Sequence, residues 1–502
     1  MKSRAILLLL LVFAASLSAQ QIPVQEHTLE NGLKVLMLPR KGSPNIAAGW
    51  IARVGSVNEK PGITGISHLF EHMMFKGTHV IGTKNIEEDL KLNIELDRLK
   101  AELRKEEQEL ARKERQGEPA IRTPRHQELL AEIDRLNKRQ KELIVKDEFD
   151  RIYTSAGASG MNAGTSEDFT IYFINVPSNK LELWFWMESD RLANPVFREF
   201  YSERDVVHEE RRLRIDSMPT GKHLEQFEAM FWKSSPYGWP VIGWPSDLEA
   251  ITREEANAYF ALNYAPNNLT ACLVGDFEPQ RAIELAKKYF SRLRRSPRPP
   301  DALRTVETQQ LGEQRMIAYA DTNPEVRIRY HTVADGHKDE PAFMVLSSLL
   351  NDRSGRLYRS LVLEQQVANA AASTHEGRKY EGFFELRGIA KPGKTPEQVE
   401  QALYKEIEKL QAELTPDREL QKVKNQLAAS NFRRLQSDFS LMVQLLISEN
   451  NRGWESLNKD SEKMQAVTPQ DIQRIAKKYF EPANRNVLVF YTKKAAAAGG
   501  NQ

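Results

Sequence analysis

The sequence predicts an α+β protein made of two homologous units in tandem, the first interrupted by a long antiparallel helical hairpin. Three observations predict it: a repeat that closes each half, a heptad-patterned insertion, and a length of 502 residues, which is long for a single core. The repeat pairs "AITREEANAYFALNYAPNNLTACLVGDF", from Ala250, with "AVTPQDIQRIAKKYFEPANRNVLVFY", from Ala466, at an offset of 216 residues. At that offset Thr252 matches Thr468, Pro266 matches Pro482 and Asn268 matches Asn484. Each copy reads as an N-cap Thr, an amphipathic helix, a Pro–Asn turn and an apolar strand.

Taken in order, the chain opens with Lys2 and Arg4 and an apolar run, Ala5 to Leu17, ending in small residues around Ser16–Ala19. This is the pattern of a signal peptide over 1–20. Its apolar core is short against the roughly 20 residues a membrane span needs, so export to the periplasm or the medium is expected, without a stable span. An uncleaved anchor is the alternative. The repeat then divides the chain into an N-terminal domain, 21–277, and a homologous C-terminal domain, 278–495, followed by a flexible tail, 496–502.

Within the first domain, residues 86–148 become highly charged. Leu92, Leu96, Leu99, Leu103 and Leu110 form a coiled-coil seam, which resumes after "QGEPAIRTP" at Leu129, Ile133, Leu136 and Leu143. Two arms of about 30 residues, roughly 45 Å each, should pair as a spacer or a docking arm. The formal net charge of +2 implies no field for nucleic acid. Cys272 is the sole cysteine, which excludes an internal disulfide and thiolate-rich metal sites. Any metal must be held by His and carboxylate.

Such a set lies in "GISHLFEHMMFKGT", from Gly65. His68 and His72 stack on one helix face, and Glu71 lies beside them. Two imidazoles can share a cation while the glutamate leans over its open position, the H-x-x-E-H inversion of the zincin motif. A pair of core or cap histidines is the bland alternative. A catalytic zinc usually takes a third protein ligand, and "YSERDVVHEERRLRIDS" offers candidates. Glu203 and Glu210 are two turns apart on a face shared with Val206, Val207 and Leu213, where carboxylates are costly unless a cation neutralises them. Glu209, Arg211, Arg212 and His208 read as solvated helix positions.

With these motifs the chain resembles the pitrilysin/insulinase family of zinc peptidases, the inverzincins, and in particular bacterial two-domain subunits similar to those of the mitochondrial processing peptidase. "SDRLANPVF" and "IGWPSDLEAI" fit the same pattern. The resemblance implies tandem α/β-sandwich units with mixed or antiparallel sheets flanked by helices. It makes Glu210 the third ligand of one Zn2+ per chain, Glu203 an accessory catalytic carboxylate and Glu71 the catalytic base. The 138 residues between His72 and Glu210 exceed the usual family spacing, and removing a hairpin of about 60 residues restores it. "NAGTSEDFTIYFINV" resembles the strand that receives substrate, so Asn162 and Ala163 are the expected peptide-binding positions. For Asn162 a turn at the head of the strand is an equal alternative.

The pattern breaks at "GRLYRSLVLEQQVANAAAS", from Gly355. Family members that work alone carry an Arg and, seven residues later, a Tyr that hold substrate and oxyanion; here those positions are Val362 and Asn369. Neither side chain can do that work. The expectation is a zinc endopeptidase subunit acting on extended peptides and completed in trans by a homologous chain that carries the Arg/Tyr pair. A self-sufficient homodimer using Tyr358 or Arg359, and a catalytically silent assembly subunit, remain as alternatives.

Overall fold

The computed structural model describes residues 21–493, so the signal peptide and the tail expected from the sequence lie outside the described residues. The chain forms two compact units. One comprises Glu26–Ser217 and Ser235–Thr305; the other takes Met218–Ser234 and 306–493, with residues 21–25. Among the described residues no helix is long and apolar enough to cross a membrane.

The first unit is built on a six-stranded sheet of β1 (Gln25–Thr28), β2 (Lys34–Pro39), β3 (Asn45–Ala52), β4 (Ser159–Thr165), β5 (Thr170–Pro177) and β6 (Leu269–Gly275). Their order is β1-β2-β6-β3-β5-β4. β2 runs parallel to β6, while β3 is antiparallel to both β6 and β5, and β4 is antiparallel to β5. All seven residues of β6 are buried, Cys272 among them, as a near-continuous apolar run in mid-sheet requires.

The second unit repeats this plan with β7 (Gln314–Ala320), β8 (Glu325–Thr332), β9 (Ala368–Gly377), β10 (Gly382–Ala390) and β11 (Arg485–Thr492), in the order β7-β11-β8-β10-β9. β11 is parallel to β7 and antiparallel to β8, as β6 is to β2 and β3. Setting β1 aside, the two sheets share one topology. The repeated punctuation explains why. Thr252 and Thr468 each cap a helix, receiving the N3 amide while Glu255 and Asp471 bond back. Each helix is followed by a Pro–Asn turn, Pro266–Asn268 and Pro482–Asn484, that leads into the middle strand. The two α/β units with mixed sheets are therefore as the sequence predicts.

The insertion is a helical hairpin of Ile86–Arg115 and Pro124–Leu143. Leu96, Leu99 and Leu103 meet Leu129, Ile133 and Leu136 in one apolar seam. The second arm is shorter than the sequence reading expected, at 20 residues, because Thr123 and Pro124 start it late and Ile144 turns extended. Its base is fixed by polar contacts inside the protein. Gln140 donates to Asp89 Oδ1 and Asn93 Oδ1, each at 2.8 Å, and Asp89 also forms a fully buried ion pair with Arg198.

The core of this unit contains a charged centre. Trp50 and Tyr172 stack at 4.2 Å, and the Arg191 guanidinium lies 4.9–5.3 Å from the rings of Tyr172, Phe149, Trp50 and Phe75. Glu188 pairs with Arg191 and accepts from Trp50 Nε1 and Tyr153 Oη, both at 2.6 Å. A buried charge is tolerable here because it is paired, hydrogen-bonded and faced by aromatic rings.

Candidate metal centre

The helix Ile66–Met73 carries the two histidines, and its start is held from several sides. Glu59 accepts from the Gly65 and Ser67 amides, each at 2.8 Å, satisfying two of the free donors of a helix N-terminus. Gly65 has φ +89° and meets Gly243, φ +88°; a Cβ on either would come within 2.5 Å of a carbonyl oxygen, of Ile242 or of Thr64. Two glycines in the left-handed region thus let the 240–243 loop lie against the head of the helix. Asp247 completes the junction by accepting from Gly62 N and from the Thr64 amide and hydroxyl.

The helix Phe200–Arg211 supplies the carboxylates. Glu210 Oε2 stands 3.3 Å from His72 Nε2 and 3.7 Å from His68 Nε2. The donor atoms of His68, His72 and Glu210 lie within 4.8 Å of one another. Ligands about 2.0–2.1 Å from a tetrahedral zinc are separated by roughly 3.4 Å, so the residues fit one such ion. The two rings are inclined at 74°, presenting separate nitrogens to a common point. This three-residue set can coordinate one Zn2+ per chain, and it gives the protein a metallopeptidase-type centre.

Other side chains surround the triad. Glu203 lies 3.5 Å from His72 Nδ1, the nitrogen turned away from Glu210, and pairs with Lys76. Glu210 Oε1 forms an ion pair with Arg214 Nη1 at 2.7 Å, leaving Oε2 for the histidines. Glu71 Oε2 accepts from Thr165 Oγ1 at 2.7 Å, which ties the helix to β4 at the edge of the sheet. Without metal, burial holds His68 below the ordinary imidazole range, outweighing its acidic neighbours. Burial works downward on His72 as well, but the Glu203 bond and the charges of Glu203, Glu210 and Glu71 carry it above that range. Glu203 is desolvated, yet His72 and Lys76 hold it below the usual carboxylate range.

A cleft of about 540 Å³ is lined by His68, Glu71, Asn162, Ala163, Thr165 and Arg214, among others. Asn162 accepts from the Ala163 amide at 2.8 Å through its own side chain. Val362 and Asn369 belong to the other unit. There Val362 packs against the core, and Asn369 is exposed at the start of β9.

Two sequence expectations for this helix need correction. Arg211, read as solvated, is only 3% exposed and donates to the Gly243 carbonyl. Glu203 and Glu210 do share the helix with a buried Val207, but Val206 and Leu213 are 46% and 61% exposed. After Arg211 the helix widens into a π-helical turn, Arg212–Asp216, which rotates Leu213 out of the projected stripe. Sequence reasoning also missed Thr165, Lys76 and Arg214. The four-residue step from Glu210 to Arg214 was a readable signal; the Thr165 contact, between segments 94 residues apart, was not.

Comparison with known proteins agrees with this geometry. Residues 35–107 match the family described as Insulinase (Peptidase family M16), and residues 250–427 match the Peptidase M16 inactive domain. The chain is 28% identical over 487 residues to "Zinc protease PqqE" of Helicobacter pylori, covering 94% of each. It is 21% identical over 416 residues to "Probable mitochondrial-processing peptidase subunit beta" of Arabidopsis thaliana, covering 80% of this chain and 66% of that one. A crystal structure of a protease from Helicobacter pylori superposes with a TM-score of 0.76 at 24% identity, covering 94% of this chain and 99% of that one, and shows the same fold.

Proposed function

The chain belongs to the insulinase (M16) peptidase family and is a zinc metalloendopeptidase by its fold and donor set; from this we propose that it hydrolyses extended or unfolded peptides and is completed in trans by a homologous subunit carrying an Arg/Tyr pair. One observation carries the catalytic part of the reading. The His68, His72 and Glu210 donors converge at one point, with Glu71 and the edge of β4 on the wall of the same cleft.

Zinc held by His68, His72 and Glu210 would supply Lewis acidity toward the scissile carbonyl and toward water. Glu71 then takes a proton from the attacking water and returns it to the departing amine. Thr165 orients that carboxylate through its hydroxyl. Glu203 acts through His72 Nδ1 as a positioning group, since an imidazole ligand is oriented by the bond its other nitrogen makes. An extended peptide laid along β4 at Asn162 and Ala163 would be held by main-chain hydrogen bonds with little sequence preference.

The need for a partner rests on Val362 and Asn369, which offer neither the charge nor the phenol of the expected pair. Export is part of the same proposal, supported by the basic and apolar opening of the sequence. Cleavage of a quenched peptide by the zinc-loaded chain, alone and mixed with a homologous subunit that has the Arg/Tyr pair, tests the whole reading. Mixing should raise the rate by about 10²–10³-fold, the cost of a missing oxyanion donor. Full rates from the chain alone, abolished by Glu71→Gln, would retain the peptidase and discard the partner. Equal cleavage by the mixture with and without Glu71→Gln would discard the assignment of Glu71.

A further inference from the structure

We propose that the cleft between the first hairpin arm and the segment Glu249–Asn257 is a binding site for a compact oxyanion, a carboxylate or a phosphate, held by Lys100, Arg204 and Arg253. The cleft has a volume of about 820 Å³ and lies wholly within the first unit. It is separate from the metal cleft in its lining residues.

Arg253 lines this cleft. It is only 6% exposed, yet Nε, Nη1 and Nη2 all lack a hydrogen-bond partner. Asp97 Oδ2 stands 3.6 Å from Nη1, close enough for attraction but too far for a hydrogen bond. Five N–H donors of a buried guanidinium are thus left unmet, a condition folded proteins rarely tolerate without an acceptor. Asp97 is itself engaged, accepting from Tyr201 Oη at 2.9 Å.

Two further cations converge on the same ring. Lys100 Nζ lies 5.0 Å from the Tyr201 centroid, the Arg204 guanidinium 5.4 Å and that of Arg253 5.6 Å. Arg204 donates through Nη1 to the carbonyls of Glu249 and Ile251, while its Nε is buried and unbonded. Glu107, Glu249 and Glu254 also line the cleft, but their side chains are exposed at its rim. Glu255 also lines the cleft, half-buried but accepting from the amide and hydroxyl of Thr252, and Asp89, near Arg253, is paired with Arg198, so neither carboxylate bonds the Arg253 guanidinium. Burial, with the charge of Arg204, holds Lys100 below the ordinary lysine range, although Asp205 and Glu107 act the other way. A planar guanidinium beside an ammonium suits bidentate capture of a carboxylate or phosphate. Lys100 belongs to the hairpin and Arg204 to the helix of Glu203 and Glu210, so a bound anion would bridge the insertion to the element that brings in the third metal ligand.

The test is titration calorimetry of the zinc-loaded chain with inorganic phosphate and, separately, acetate, at constant ionic strength. Saturable binding of either anion, weakened at least tenfold by Lys100→Gln and lost in Arg253→Gln, is the expected result, and the preferred anion identifies the source. Lys100 is half-buried on a helix surface, so its variant keeps the test informative where Arg253→Gln does not fold. Crystals soaked in selenate should show anomalous selenium signal against the Arg253 guanidinium. Absence of saturable binding by both anions, or binding unchanged in Lys100→Gln, would overturn the proposal.

Discussion

Thr165 donates its hydroxyl proton to Glu71 across 2.7 Å, joining the last residue of an edge strand to the carboxylate assigned as base. A hydrogen bond to a charged group contributes about 1.5–3 kcal/mol. Thr165→Val keeps the shape of the side chain and removes the donor, so kcat should fall about ten- to a hundredfold while zinc content stays at one per chain. Steady-state kinetics with metal analysis on the purified variant checks this; an unchanged kcat removes Thr165 from the orientation of Glu71.

Glu203 reaches His72 on the nitrogen that Glu210 does not face. Groups in this position typically account for 10–100-fold in metal affinity. Glu203→Gln should therefore weaken zinc binding by that factor in a competitive chelator titration. Thr165→Val should leave the affinity unchanged, which separates the two kinds of support.

Arg191 and Glu188 are both almost fully buried and paired with each other. Arg191→Leu leaves the Glu188 carboxylate without its cation, a loss of about 3–5 kcal/mol for pairs of this kind. Urea unfolding of the first-unit transition should show it. Replacing both, Glu188→Leu with Arg191→Leu, should cost less than Arg191→Leu alone, because no stranded charge remains.

His331 stacks on Phe231 at 3.9 Å, and burial holds its imidazole down to about 4. Unfolded, it titrates near 6.5. Above 6.5 both states are neutral and the contribution to stability is full. Between 6.5 and 4 only the unfolded chain takes the proton, so stability falls with pH, by at most about 1.4 kcal/mol per unit. His331→Phe should flatten the decline in Tm between pH 7 and pH 5. Part of the slope should persist, since His375 is likewise held down to about 4 by burial.

Much of this fold was legible because its signals are local. The N-cap threonines at 252 and 468, the Pro–Asn turns and the leucine seam each depend on residues a few positions apart. The pairing of His68 with His72 has the same origin, one helix turn. Glu210 was harder, since nothing nearby in sequence links it to the histidines; a carboxylate set seven residues from another, with a resemblance behind it, supplied the link. What the sequence hid are contacts made by tertiary approach. Thr165 on Glu71, Arg191 among four rings and the back-to-back glycines 65 and 243 join segments with no shared periodicity. The π-helical turn after Arg211 was hidden for a different reason, because a 3.6-residue projection cannot anticipate where a helix changes its own pitch.

The helix Gly221–Phe231 lies between two stretches of the first unit in sequence but packs in the second, where Phe227 covers Ala318 and Ala320 of β7 and Leu488 and Phe490 of β11. No single scission of the polypeptide yields two self-sufficient halves. A fragment beginning at Val306 would expose that greasy strip to water and be prone to clump, whereas the same fragment with residues 218–234 grafted on should stay dispersed.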